Sequence, residues 1–152
     1  MPKRDLITAV GLLFEAAYFT ERALADEVEA ATQLPGHWVE VMLRLSRTPG
    51  GCTRMNEMAN QVIFAPSSFS RLADKMEHAG LVERRPDPAH RRATLLQLTR
   101  HGERQLASVK AVQEPAVRRR FADLLSESEL DQLESMTRRL RAANGPTDQT
   151  IT

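Results

Sequence analysis

Apolar residues recur every three or four positions from residue 5 to residue 31, at Leu6, Ala9, Val10, Leu13, Ala16, Ala17, Thr20 and Leu24. That spacing is the seam of a long amphipathic helix, with Asp5 in its first turn where the helix dipole favours negative charge. Leu34-Pro35-Gly36 interrupts the pattern, because proline and glycine both resist helix continuation. The spacing then predicts a second helix over 37–47, with Trp38, Val41, Met42 and Leu45 on one face, ended by Thr48-Pro49-Gly50-Gly51. A short third helix over about 54–61 follows from the stripe Met55, Met58, Ala59 and Val62, and residues 62–66 read as a brief turn. A fourth helix over about 66–79 has Pro66 in its first turn, where the missing N–H costs nothing, and Gly80 just past its end. Its inward residues are Phe69, Leu72, Ala73 and Met76, and its outward ones are Ser67, Ser68, Ser70, Arg71, Asp74 and Lys75.

Beyond Gly80 the period changes. Leu81–Arg85 and Ala93–Leu98 read as two short strands joined by a polar tip, Pro86-Asp87-Pro88-Ala89-His90-Arg91-Arg92. Thr99 is a suitable cap for a helix from 100 to about 124, which Pro115 is expected to bend or break. Ser126-Glu127-Ser128-Glu129 is a capping-box pattern. It opens a last helix with Leu130, Leu133, Met136, Thr137 and Leu140 in line, stopped by Asn144-Gly145-Pro146. No internal repeat is visible. The expected fold is mainly α with a small two- or three-stranded antiparallel wing. Helix, short helix, tight turn, helix and basic-tipped hairpin make residues 33–102 a winged helix-turn-helix lobe, the arrangement that sets one helix in a DNA major groove. Residues 1–32 and 103–145 are expected to be dimerisation helices, since the apolar faces of 5–31, 116–124 and 130–140 exceed what one small lobe can bury. Residues 146–152 read as a flexible tail.

Composition changes this picture little, but charge distribution sharpens it. The chain has 152 residues, 41% apolar and 27% charged, an ordinary globular balance for one domain-scale unit. Residues 1–32 carry three basic and six acidic side chains, residues 33–101 ten and six, and residues 102–152 eight and eight, so the middle third is electropositive. All four histidines lie in that third, without metal-ligand spacing. No metal, cofactor or catalytic role is expected, because phosphate loops, nucleophile elbows and cysteine–histidine pairs are missing. The single cysteine, Cys52, fits a reducing compartment. Glu15 interrupts the only apolar stretch near the start, and no apolar run is long enough to cross a bilayer. A cytoplasmic protein is therefore expected, with no membrane partner.

The candidate chemistry lies in the lobe. Ser67 and Ser68, near the start of the fourth helix, have hydroxyls and free N–H groups suited to a phosphate or base edge. Arg71 and Lys75, one turn apart and beside Ser70, can follow one groove, and arginine can grip guanine O6 and N7 together. Arg91 and Arg92 sit on a tip narrow enough for a minor groove. Only one of Arg84 and Arg85, alternating on a strand, is expected to face DNA while the other pairs locally. Arg54 and Asn56 are candidates for phosphate contact. Arg118, Arg119 and Arg120 read as salt-bridging or solvated.

Met58-Ala59, Ser67-Ser68-Phe69-Ser70-Arg71-Leu72, Gly80-Leu81-Val82-Glu83-Arg84, Arg91-Arg92-Ala93 and Leu98-Thr99-Arg100-His101-Gly102 together resemble the MarR family of bacterial transcriptional regulators. The resemblance implies a homodimer that places two winged units on a pseudo-palindromic double-stranded operator, acting as a repressor. Many members are released by a small, often aromatic or phenolic, effector bound between the dimer base and the lobe. Phe14, Tyr18, His37 and Trp38, with Phe19, are candidates for lining such a pocket; the competing reading is that the aromatics are core. The family usually has an acid where this chain has His90, just before the paired arginines. Asp87 could replace that acid as the partner of Arg92, or a protonated His90 could add charge near DNA and make binding pH-sensitive. Two alternatives stand beside the regulator: a dimeric scaffold that keeps the fold without binding DNA, and a thiol-based sensor acting through Cys52.

Overall fold

The computed structural model describes residues 5–62 and 69–145. Helix α1 (Leu6–Thr32) is capped by Asp5, whose carboxylate accepts the N–H groups of Ile7 and Thr8, so Asp5 precedes the first turn rather than standing in it. Helix α2 (Gly36–Arg47) begins on Pro35 and buries Val39, Val41, Met42 and Leu45. Trp38, expected on that inner face, is only partly buried at its edge. A 3₁₀ turn, Pro49–Gly51, leads into strand β1 (Cys52–Arg54), which runs directly into helix α3 (Met55–Gln61). Cys52 is therefore the first residue of a strand. Helix α4 is described from Phe69 to His78. The expected start at Pro66, the turn before it, and Ser67 and Ser68 lie outside the described residues, as does the expected tail.

Strands β2 (Val82–Pro86) and β3 (Thr94–Leu98) form the hairpin. The sheet has three antiparallel strands in the order β1-β3-β2, the larger of the two alternatives left open by the sequence. Its register pairs Thr53 with Leu96 and Arg84 with Leu96 across the two sides of β3. Helix α5 (Arg100–Arg120) starts on Thr99, whose hydroxyl accepts the Gly102 N–H. Pro115 does not break it: the helix continues to Arg120, and a 3₁₀ turn, Ala122–Leu124, follows. Pro115 and Ala111 are exposed. Water can thus satisfy the carbonyl that loses its helical partner, which lowers the penalty of proline there. Helix α6 (Glu127–Asn144) opens on the expected capping box, in which Ser126 and Glu129 exchange both hydrogen bonds.

One core joins the lobe to α5. Met42, Leu45, Met58, Met76, Leu96 and Val109 are among its fully buried members, drawn from four helices and the central strand. The four inward residues expected on α4, Phe69, Leu72, Ala73 and Met76, are all buried. Within the single chain, α1 contributes only Val28 to this core and α6 contributes nothing. Leu6, Phe14 and Phe19 on α1 are 70%, 68% and 63% exposed, and Leu124, Met136 and Leu140 are also exposed. Glu27 of α1 pairs with Arg119 and Arg120, holding the end of α1 to the end of α5.

Candidate nucleic-acid interface

The amphipathic period of α4 places Ser70, Arg71, Asp74 and Lys75 on its exposed side, opposite the four buried residues. Arg71 and Lys75 have no ion-pair partner among the described residues, so their charges face solvent. Arg91 and Arg92, at the turn of the β2–β3 hairpin, are likewise exposed and have no ion-pair partner among the described residues. A helix face and a hairpin tip thus present cations from two elements of one lobe.

Two arginines tie the hairpin to the helices. Arg84, in the middle of β2, pairs with Asp74 (2.7 Å) and Glu77 (2.7 Å) of α4. Arg85, on the other side of the strand, pairs with Glu83 and is mostly exposed. At the tip, Asp87 is buried and accepts Arg54 Nε at 2.8 Å and the Ala89 N–H at 2.8 Å. Arg54 Nη2 lies 2.7 Å from His90 Nδ1, which must accept because a guanidinium can only donate. Asp87 is therefore the partner of Arg54, at the start of α3, and not of Arg92. Arg54 in turn is held by protein groups, including Glu57, rather than being left free for phosphate.

The MarR family model matches residues 32–93. The lobe is thus similar to the MarR family. Solved structures extend the likeness in fold to nearly the whole chain. AbsC, a MarR family transcriptional regulator from Streptomyces coelicolor, is 26% identical, with 93% of this chain and 99% of that one covered and a TM-score of 0.78. Sco3205, a MarR family regulator from the same organism solved in complex with DNA, is 22% identical, with 97% and 94% covered and a TM-score of 0.82. The organohalide-sensing regulator RdhR-CbdbA1625, solved with 2,4-dichlorophenol, is 17% identical, with 99% and 90% covered and a TM-score of 0.76. No curated protein matches the chain.

Within this lobe, the Arg54 bond, reinforced by the Ala89 amide, holds the Asp87 carboxyl below the usual carboxylate range. A carboxyl lowered in the folded state stabilises that state above its unfolded value, about pH 4, and loses the contribution as pH falls through the folded value. Asp87→Asn is expected to be less stable than the parent at neutral pH, and the gap should narrow as pH drops below about 4. Urea unfolding at a series of pH values checks this; a constant gap would mean that the charge on Asp87 contributes nothing.

The structure puts the candidate pocket residues in different settings. Phe14 and Tyr18 are exposed on α1, where Tyr18 meets Phe19 edge to face at 5.3 Å and accepts from Arg22. His37 is half-buried, and Trp38 packs against the core. A cleft of about 250 Å³ lies where α1, α2 and α5 meet, and its lining includes Glu21, Leu24, Val28, Val39, Leu43 and Gln113. None of the five candidates lines it. Burial, with Glu40 and Asp26 nearby, raises the Glu21 carboxyl above its ordinary range. No group of acidic, histidine or cysteine side chains suited to a metal occurs among the described residues, and no described helix is long and apolar enough to cross a membrane.

Sequence reasoning passed over Asp87–Arg54 and Arg84–Asp74/Glu77 as structural ties. The available signal was the pair of carboxylates at i and i+3 on α4, followed within one turn and a strand by Arg84.

Proposed function

We propose that this protein is a sequence-specific double-stranded DNA-binding regulator, a homodimeric repressor that occupies a pseudo-palindromic operator. The observation that carries the reading is the pair of cationic surfaces without ion-pair partners among the described residues, Arg71 and Lys75 on α4 beside Arg91 and Arg92 on the wing, in a lobe that matches the MarR family model. Helix α4 then enters the major groove as recognition helix, with Ser70 in its first turn and Ser67 and Ser68 just ahead of it in sequence, while the wing tip enters the adjacent minor groove. Phosphate neutralisation supplies most of the affinity and base edges supply the choice of sequence.

The homodimer reading rests on the apolar residues that the single chain leaves in water. Leu6, Val10, Leu13, Phe14, Leu124, Met136 and Leu140 form faces on the two terminal segments, 1–32 and 103–145, too extensive for an isolated soluble unit. A second copy buries them symmetrically. The cleft between α1, α2 and α5 joins such a dimer base to the lobe, and a small, largely apolar effector seated there would shift the lobes relative to each other.

Selection of bound fragments from genomic DNA with purified protein tests the reading, and enrichment of one imperfect palindrome is the expected outcome. Binding should weaken steeply with salt, since each phosphate contact releases counterions. Duplex binding that is undetectable even at low salt would overturn the proposal in favour of a scaffold. Arg92→Ala should weaken binding about evenly across sequences and lower the salt slope by roughly 2, about 1 for each protomer. Titrations at several salt concentrations measure both, and an unchanged slope would remove Arg92 from the phosphate contacts.

A further inference from the structure

We propose that Arg84 is a positioning residue that fixes the wing at one distance from the recognition helix, and so sets the spacing of groove features the protein accepts. The inference rests on the DNA-reading function proposed above. Arg84 Nη1 donates to Glu77 Oε2 at 2.7 Å, and Nη2 reaches Asp74 Oδ1 at 2.7 Å and the Ser70 carbonyl oxygen at 3.1 Å. The Arg84 backbone N–H also donates to Glu77 Oε1 at 3.0 Å. Ser70, Asp74 and Glu77 follow one another at i, i+4 and i+7. They form one stripe that runs nearly two turns along α4, roughly 10 Å. Beside it runs the stripe of Arg71 and Lys75. The guanidinium therefore grips the recognition helix along its length, parallel to the face offered to DNA, and resists both sliding and rotation of the wing.

The chemistry excludes a direct reading role for Arg84. Three of its five N–H groups are committed to α4, so its planar fork is not available to a guanine edge. Asp74 and Glu77 are the only carboxylates on α4 between Phe69 and His78. Left unpaired they would oppose phosphates beside Arg71 and Lys75; Arg84 turns their charge toward the wing. Exposed ion pairs add little to fold stability, and Asp74 is largely exposed. The consequence of the clamp is geometric. Helix and wing act as two linked binding elements, and slack between them lowers the effective concentration of the second once the first has docked.

The test uses the full-length protein and a duplex that the parent selects from a random library. Arg84→Met keeps the apolar stem and removes the clamp. It is expected to melt near the parent and to keep hydroxyl-radical protection where α4 docks. It should lose the flanking minor-groove protection, with affinity falling on the order of tenfold. It should also tolerate a one-base-pair insertion between the two protected zones that the parent rejects. Arg84→Lys, which retains a cation, should recover part of the flanking protection. Parental footprints and parental intolerance of the insertion in Arg84→Met would overturn the proposal, as would both zones fading together. Should Arg84→Met fail to fold, the double variant Asp74→Asn/Glu77→Gln is judged by the same footprints. A parent that protects no duplex would defeat the DNA reading itself, and this inference with it.

Discussion

Gly102→Ala is expected to destabilise the protein by about 3 kcal/mol, the upper part of the range for overpacking, and to lower Tm by roughly 6–12 °C. Gly102 is buried in the first turn of α5, and a Cβ there would be driven into the Leu81 carbonyl oxygen while lying 3.2 Å from Leu98 Cδ2. That carbonyl cannot give way cheaply. It accepts the Thr99 N–H at 3.1 Å, and the Leu81 N–H is itself bonded to the Met76 carbonyl at 3.0 Å. The Thr99 hydroxyl donates to the Gly80 carbonyl and accepts from the Gly102 N–H, so the turn after α4 and the start of α5 hold each other. Gly80 sits at φ +71°, a conformation few other residues adopt, which keeps that turn tight. Pushing α5 outward would also loosen Leu106 and Val109, which complete the core. Urea unfolding at fixed protein concentration measures the effect, and an unchanged midpoint would show that the close approach is not required.

Arg71→Ala is expected to lose about 1–3 kcal/mol of operator binding and to relax sequence preference at one position of each half-site. The side chain is exposed and unpaired among the described residues, so its removal should leave the melting temperature close to the parent's. Its effect on DNA differs in kind from that of Arg92→Ala. A base-edge contact discriminates between sequences, whereas a phosphate contact weakens all of them alike. Anisotropy titrations against duplexes varied one base pair at a time separate the two. An equal loss on every duplex would make Arg71 a phosphate contact, and no loss on any would remove α4 from the interface as drawn.

The site was partly legible in the residues. The outward face of α4 followed from a helical period that the structure reproduces, because Phe69, Leu72, Ala73 and Met76 leave no other side for Arg71 and Lys75. The hairpin followed from a change of period, and its strands start within one residue of the expected positions. Strand β1 was not legible as a separate element. Its three residues are too few to show alternation, and only pairing with β3 makes them a strand. Pro115 misled because its penalty depends on the exposure of its surroundings, which a local pattern does not carry.

What could be read along the chain is what depends on neighbours within a turn or two: helix faces, the caps at Thr99 and Ser126, and the cationic stripe. What required the folded chain is partnership across distance. Arg54 meets Asp87 from 33 positions away and Arg84 reaches back to Ser70 from 14, so the charges proposed to meet nucleic acid and those that hold the lobe together look alike until the chain closes. Ionic attraction has no periodicity of its own; which arginine is free is decided by which carboxylate packing brings within reach.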